Sequence, residues 1–211
     1  MPRFAANLTL MYAEYAFADR FAAAAADAFE AGECLFPYAL GSAELARPLN
    51  APRLSLALFN LWPGNWAAGE RGLAALPGRE AEFAAAVEMG LGYAQASGCR
   101  QLHALAGLVP AGATADDRSE MHRTYVANLR HAARALAPHG ITLLIEPINT
   151  RDMPGYFLNH QQAAHDLVAE VGEPNLKVQM DLYHCQMMEG DAANQLQRRI
   201  GEAPGMAGEV P

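Results

Sequence analysis

Apolar and polar positions along the chain follow two different periods in alternation. Short apolar runs of strand character fall near 3–10, 32–36, 53–60, 100–106, 141–146 and 175–181, and helical patterns lie between them. From Met121 onward, Met121, Tyr125, Leu129, Ala132, Ala133 and Leu136 recur at helical spacing. Pro138 and Gly140 predict the end of that helix. Asn159, with Gln162 three residues on, resembles a capped helix start. The stripe Ala163, Ala164, Leu167, Val168 and Val171 then predicts one buried face. Phe17 to Ala31 is alanine-rich and predicted helical by propensity. No repeat, low-complexity linker or shift in composition interrupts the pattern. It predicts a single domain, residues 1–211, of six strand–helix units.

Strands alternating with helices imply a parallel sheet, either open and doubly wound or closed into a barrel. The glycine-rich phosphate turn of the open folds is missing, because "NLTLMYAEY" stands where it would follow the first strand. Polar residues instead occupy the carboxyl ends of the runs: Asn7, Asn60, His103, Glu146 and Asp181. In a (β/α)8 barrel those ends share one face, and that face holds the active site. The expected class is therefore α/β, a TIM barrel. Strand alternation adds detail. With Glu146 inward, Thr142 and Leu144 lie beneath it, while Ile141, Leu143 and Ile145 face the helices. With Asp181 inward, Lys177 and Gln179 share its side, and Val178 and Met180 pack outside.

Composition narrows the function classes. The 211 residues are 52% hydrophobic and 18% charged, enough for a sizeable core, and no run resembles a membrane span. The amino terminus lacks the sustained apolar segment of a secretory signal, so a cytoplasmic location is expected. Cys34, Cys99 and Cys185 lack metal-finger spacing and read as reduced and buried. A net charge of −8, with Lys177 as the sole lysine, argues against a nucleic-acid partner. A small anionic substrate held by one or two arginines is compatible with it, as is a homo-oligomer.

Glu146 and Asp181 carry the sharpest chemistry. Two converging carboxylates repel unless a cation or a proton lies between them. Hard oxygen ligands select Mg²⁺ or Mn²⁺, and His184 either completes the site or holds substrate. The competing reading is that each acid is a solvated strand-end cap. His103 alone fits a hydrogen-bonded core or rim histidine. His122, His131, His139, His160 and His165 fall in helical or capping patterns, and Tyr183, Met187 and Met188 read as packing. Leu61 to Arg79, "LWPGNWAAGERGLAALPGR", is long for a strand-to-helix turn and carries Trp62, Trp66 and Arg71. It reads either as a loop closing over substrate, with Arg71 pairing a carboxylate, or as a surface loop pinned by its aromatics.

The segments "RFAANLTL", "LFPY", "NLWPGNWAAGERGLAALPGR", "LLIEPINTRDMPGYFL" and "NLKVQMDLYHCQMMEGD" together resemble hydroxypyruvate isomerases, a family of xylose-isomerase-like barrels, up to about Gln197. The resemblance implies a TIM barrel with a divalent metal, Mg²⁺ or Mn²⁺, at the carboxyl-end face. It implies Glu146 as metal ligand and acid/base glutamate, Asp181 as metal ligand and His184 as substrate contact, with Asn7, His103 and Arg71 as further substrate-binding candidates. The implied reaction interconverts hydroxypyruvate and tartronate semialdehyde, or a related 2-oxo acid, through an enediolate, with one glutamate removing a proton and a second returning it. Asn65 stands where relatives usually have aspartate, and "EAGECLFPY" is looser than the usual second strand.

A TIM barrel has eight strands, whereas six runs are legible here before the tail "RRIGEAPGMAGEVP". The resemblance would place a third and fourth metal ligand, and the second glutamate, on strands seven and eight. An incomplete barrel, marginal in stability and of little activity by itself, is therefore expected. Three further readings stay open: an inactive remnant that binds a partner, a ketose 3-epimerase, and a metal-dependent nuclease, the last opposed by the acidic balance.

Overall fold

The computed structural model describes residues 4–50 and 54–202. Six strands form one sheet in sequence order: β1 (Ala5–Asn7), β2 (Ala31–Cys34), β3 (Ser55–Asn60), β4 (Gln101–His103), β5 (Thr142–Ile145) and β6 (Leu176–Val178). Every neighbouring pair is parallel. Such crossovers require an intervening segment, here helical in every unit. These helices are α1 (Arg20–Ala26), α2 (Ser42–Asn50), α3 (Glu80–Ser97), α4 (Ala115–Leu136) and α5 (Gln161–Val171), and β6 is followed by α6 (Leu182–Met188) and α7 (Ala192–Glu202). Among the described residues, β1 and β6 pair on one side only, so the sheet curves without closing.

The core lies between the outer face of the sheet and the helices. Ile141, Leu143 and Ile145 belong to it, while Leu144, beneath Glu146, is buried outside that cluster. This is the alternation the sequence predicts for β5. On α4, Met121, Tyr125, Leu129, Ala132, Ala133 and Leu136 are all buried. Full burial of a large apolar side chain contributes about 1.5–3 kcal/mol, so that stripe fixes α4 against the sheet.

Several boundaries differ from the sequence expectation, each for a local reason. The strands are shorter than the apolar runs, because backbone pairing ends where the chain turns toward the mouth. Helix α4 starts at Ala115, ahead of the first apolar repeat, because Thr114 and Asp117 form a capping box. Phe17 to Ala31 is not one helix: a 3-10 turn (Phe17–Asp19) leads into α1, and Ala31 already belongs to β2. Asn159 does not cap α5. His160 holds the cap position without a side-chain bond, and Glu189 accepts from the Gln161 N–H at 2.6 Å. Ala163 is exposed and Val168 half-buried, so the α5 stripe is narrower than predicted. The start of the tail, which carries no strand pattern, is helical, in α7, whereas 203–211 lies outside the described residues, as do positions 3 and 53 of the first and third predicted strands.

Candidate active site at the carboxyl ends of the strands

The carboxyl ends of all six strands open on one cavity of about 290 Å³. It is lined by the predicted strand-end residues Asn7, Asn60, His103, Glu146 and Asp181, together with His184. A larger recess of about 1000 Å³ lies at the opposite end, among Phe4, Glu30, Ser55, Arg100 and Gln101. In a parallel barrel that end serves stability rather than chemistry.

Glu146 follows β5 and is only 7% exposed. Asp181 ends the segment after β6 and caps α6, accepting from the His184 backbone N–H through Oδ1 at 2.9 Å. One Asp181 carboxylate oxygen therefore anchors the helix, and the bond orients the other. The three-residue spacing from Asp181 to His184 is the spacing of that cap. Glu146, Asp181 and His184 each bring one ligand atom to within 4.8 Å of the others.

Burial, first, and then the Asp181 and Glu33 carboxylates push Glu146 up to about 8, against a weaker opposing effect of Gln179, which donates from Nε2 to Oε1 at 3.1 Å. A cation between the acids would remove that cost. Glu33, not singled out by the sequence, is a third carboxyl at this cavity, raised by burial although Asn7 donates to it at 2.9 Å. The parallel register of β1 and β2, which pairs Asn7 with Glu33, sets it beside Asn7. Its only sequence signal was a carboxylate inside the second apolar run.

His103 is buried, and desolvation, aided by His184, pushes it down to about 3. Its Nδ1 lies 3.8 Å from Glu146, yet a neutral ring makes no ion pair there. Nδ1 donates instead to Asn60 Oδ1 at 3.1 Å, which leaves Nε2 a buried acceptor without a partner.

The 61–79 loop is pinned. Asn65 caps a turn (Trp66–Ala68), Asn128 donates to Ala74 O at 2.9 Å, and Arg79 pairs with Glu70 at 2.7 Å and with Glu82. Trp66 lines the cavity. Arg71 does not line it: its guanidinium stacks 4.0 Å from the Trp66 ring centroid and donates to the Trp66 and Glu70 carbonyls. Among the described residues Arg71 forms no salt bridge with a carboxylate. It supports the wall from behind. A cation–π contact is worth about 0.5–2 kcal/mol, so Arg71→Ala should lower the folding midpoint modestly and, by loosening Trp66 at the cavity wall, raise KM by up to about thirty-fold. Unchanged kinetics would make the residue a surface pin only.

A sequence profile of the xylose isomerase-like TIM barrel matches residues 19–206. The chain belongs to the xylose isomerase-like TIM barrel family. Within it, the 2-oxo-tetronate isomerase of Cupriavidus necator is 59% identical over 200 residues, covering 95% of this chain and 76% of that protein. The hydroxypyruvate isomerase of Escherichia coli is 45% identical over 194 residues, 92% of this chain and 74% of the relative. A Brucella melitensis crystal structure described as AP endonuclease, family 2, superposes with a TM-score of 0.91 at 49% identity, over 95% of this chain and 76% of that one. The xylose isomerase-like assignment agrees with the fold and with the resemblance read from the sequence.

The three cysteines are free and buried. Tyr183, expected to be packing, is 54% exposed and donates to Asp152 at 2.7 Å. No helix among the described residues is long and apolar enough to cross a membrane.

Proposed function

We propose that this single-domain chain carries an isomerase site for a small 2-hydroxy- or 2-oxo acid of the hydroxypyruvate and 2-oxo-tetronate type. One observation carries the reading: Glu146, Asp181 and His184 converge within 4.8 Å in a 290 Å³ cavity at the strand ends. The relatives at 59% and 45% identity, named for such isomerisations, support it.

The donor set fits a hard divalent cation. Glu146 and Asp181 supply carboxylate oxygens of the kind that select Mg²⁺ or Mn²⁺. Glu33 and Asp152 add acidity to the cavity, and no lysine or arginine lines it among the described residues. When bound, the ion would polarise the substrate's carbonyl and hydroxyl oxygens and balance its carboxylate. Glu146, raised by burial toward neutral pH, is matched to moving a proton between substrate carbon and its own carboxylate. The free Nε2 of His103 can accept from a substrate hydroxyl, and Asn7 holds Glu33 in place at the rim. Trp66 shields the cavity from water on the loop side. The same lining disfavours the nuclease reading, since a phosphate backbone requires basic partners.

Titration with Mn²⁺, followed by the ion's electron paramagnetic resonance, tests the site directly. Asp181→Asn should weaken Mn²⁺ binding at least about tenfold, since a carboxylate is the hard ligand such ions require. Equal affinity in wild type and Asp181→Asn would overturn the reading. Turnover of hydroxypyruvate and of a 2-oxo-tetronate with Mn²⁺ then ranks the two acids.

A further inference from the structure

The loop after β5 holds a polar group that neither the sequence nor the relatives' names explain. Asn149 is completely buried, and all its side-chain bonds are accounted for. Oδ1 accepts from the backbone N–H groups of Arg151 at 3.0 Å and Asp152 at 2.8 Å. Nδ2 donates to Asp152 Oδ2 at 2.9 Å and faces His184 Nδ1 at 2.7 Å. Tyr183 OH donates to the same Asp152 oxygen at 2.7 Å.

An amide can usually be turned end for end without penalty, but this one cannot. Reversal would set an NH₂ group against two N–H donors and a carbonyl oxygen against the Asp152 carboxylate. Each unmatched buried group costs about 1–3 kcal/mol. The orientation is therefore fixed by the backbone, and Asn149 can present only a donor to His184. Nδ1 of His184 must accept, which puts the proton of the neutral ring on Nε2. Nε2 is the ring atom left free, on a residue that lines the cavity.

We propose that Asn149 is a positioning residue that locks His184 as an Nε2–H donor. Resting on the function proposed above, this deepens it: His184 does not serve as a ligand to the ion, although it lies within ligand reach of Glu146 and Asp181. An Nε2 that carries a hydrogen has no lone pair for a cation. It has a hydrogen for an oxygen of the substrate, either its carboxylate or the oxygen that gains charge as the adjacent carbon is deprotonated. The substrate class that fits is one with an acceptor oxygen beside the ion, as a 2-oxo acid has. Asp152 and Tyr183 form the outer link, since Asp152 takes the second Asn149 hydrogen and is itself held by the Tyr183 hydroxyl.

The test is long-range ¹H–¹⁵N correlation of histidine-labelled protein, free of divalent ions and above the usual histidine range, with His184→Gln to assign the signal. The wild-type His184 ring should show its proton on Nε2 and a bare Nδ1. Asn149→Asp keeps an oxygen for the Arg151 and Asp152 N–H groups but turns an acceptor toward the ring, so the proton should move to Nδ1. A wild-type ring protonated on Nδ1, or an Asn149→Asp ring unchanged from wild type, would overturn the proposal. If Asn149→Asp does not fold, the wild-type spectrum decides by itself. A second readout is Mn²⁺ affinity, which His184→Ala should change less than about threefold; a tenfold loss would make His184 a ligand and the lock wrong. The ring spectrum is independent of which acid is turned over, so failure of the Asp181 titration and failure of this proposal are separable.

Discussion

Glu146→Gln should lower isomerase turnover by roughly 10²- to 10⁴-fold, the usual loss for a removed general acid or base. It should also stabilise the ion-free protein at alkaline pH. In the fold the carboxyl is pushed up to about 8 by burial and by the Asp181 and Glu33 carboxylates. In the unfolded chain a glutamate titrates near about 4.3. Between those values the folded state holds a proton that the unfolded state has lost, so stability falls as pH rises through the window. The contribution is complete below the unfolded value and gone above about 8. Each unit of difference is worth about 1.4 kcal/mol, so wild type and Glu146→Gln should diverge by a few kcal/mol between the ends of the window. Urea unfolding across pH, without and with Mn²⁺, is the measurement. The ion should restore wild type at high pH and leave the glutamine variant unmoved. Parallel stability profiles for the two proteins would mean that Glu146 is not held in this environment, and full turnover by the variant would remove it from the chemistry.

Gly72→Ala should detach the wall of the cavity and cost about 2–5 kcal/mol, combining backbone strain with an overpacked contact. Gly72 adopts a φ of +123°, a conformation L side chains rarely take, and it forms an antiparallel bridge with Ala106. A Cβ there would overlap the Leu105 carbonyl, which is backbone and cannot swing aside. The bridge fastens the 61–79 loop to the segment after β4, and Trp66 hangs from that loop into the cavity. Both tryptophans of the protein, Trp62 and Trp66, lie in it. Their fluorescence therefore reports the loop, and far-ultraviolet dichroism reports the helices. In the variant the fluorescence transition should precede the dichroism transition in urea. Coincident transitions at the wild-type midpoint would show that the loop is held by something other than this bridge.

The pinned loop also explains why Arg71 could be noticed in the sequence but not placed by it. A guanidinium near two tryptophans and several acids has many partners by composition. Only the folded loop shows that it stacks on Trp66 and binds two carbonyls, one step removed from the cavity.

Strand–helix alternation, the face of each strand and the acids at the strand ends were determined by the sequence alone. All three follow from local periodicity: a strand's side chains alternate, so Glu146 at the end of a run fixes which neighbours pack outward. The same locality accounts for the Asp181 and His184 pair, whose spacing is a helix cap. Contacts between distant segments were decided only by tertiary structure. Glu33 sits beside Asn7 because β1 and β2 are in register. Gln161 finds its cap in Glu189, 28 residues away. Asn149, the plainest residue of "IEPIN", meets a histidine 35 positions on. A side-chain amide has no intrinsic direction in sequence; it acquires one only when backbone groups from its own loop surround its oxygen, and a ring from another helix then takes its proton arrangement from that constraint.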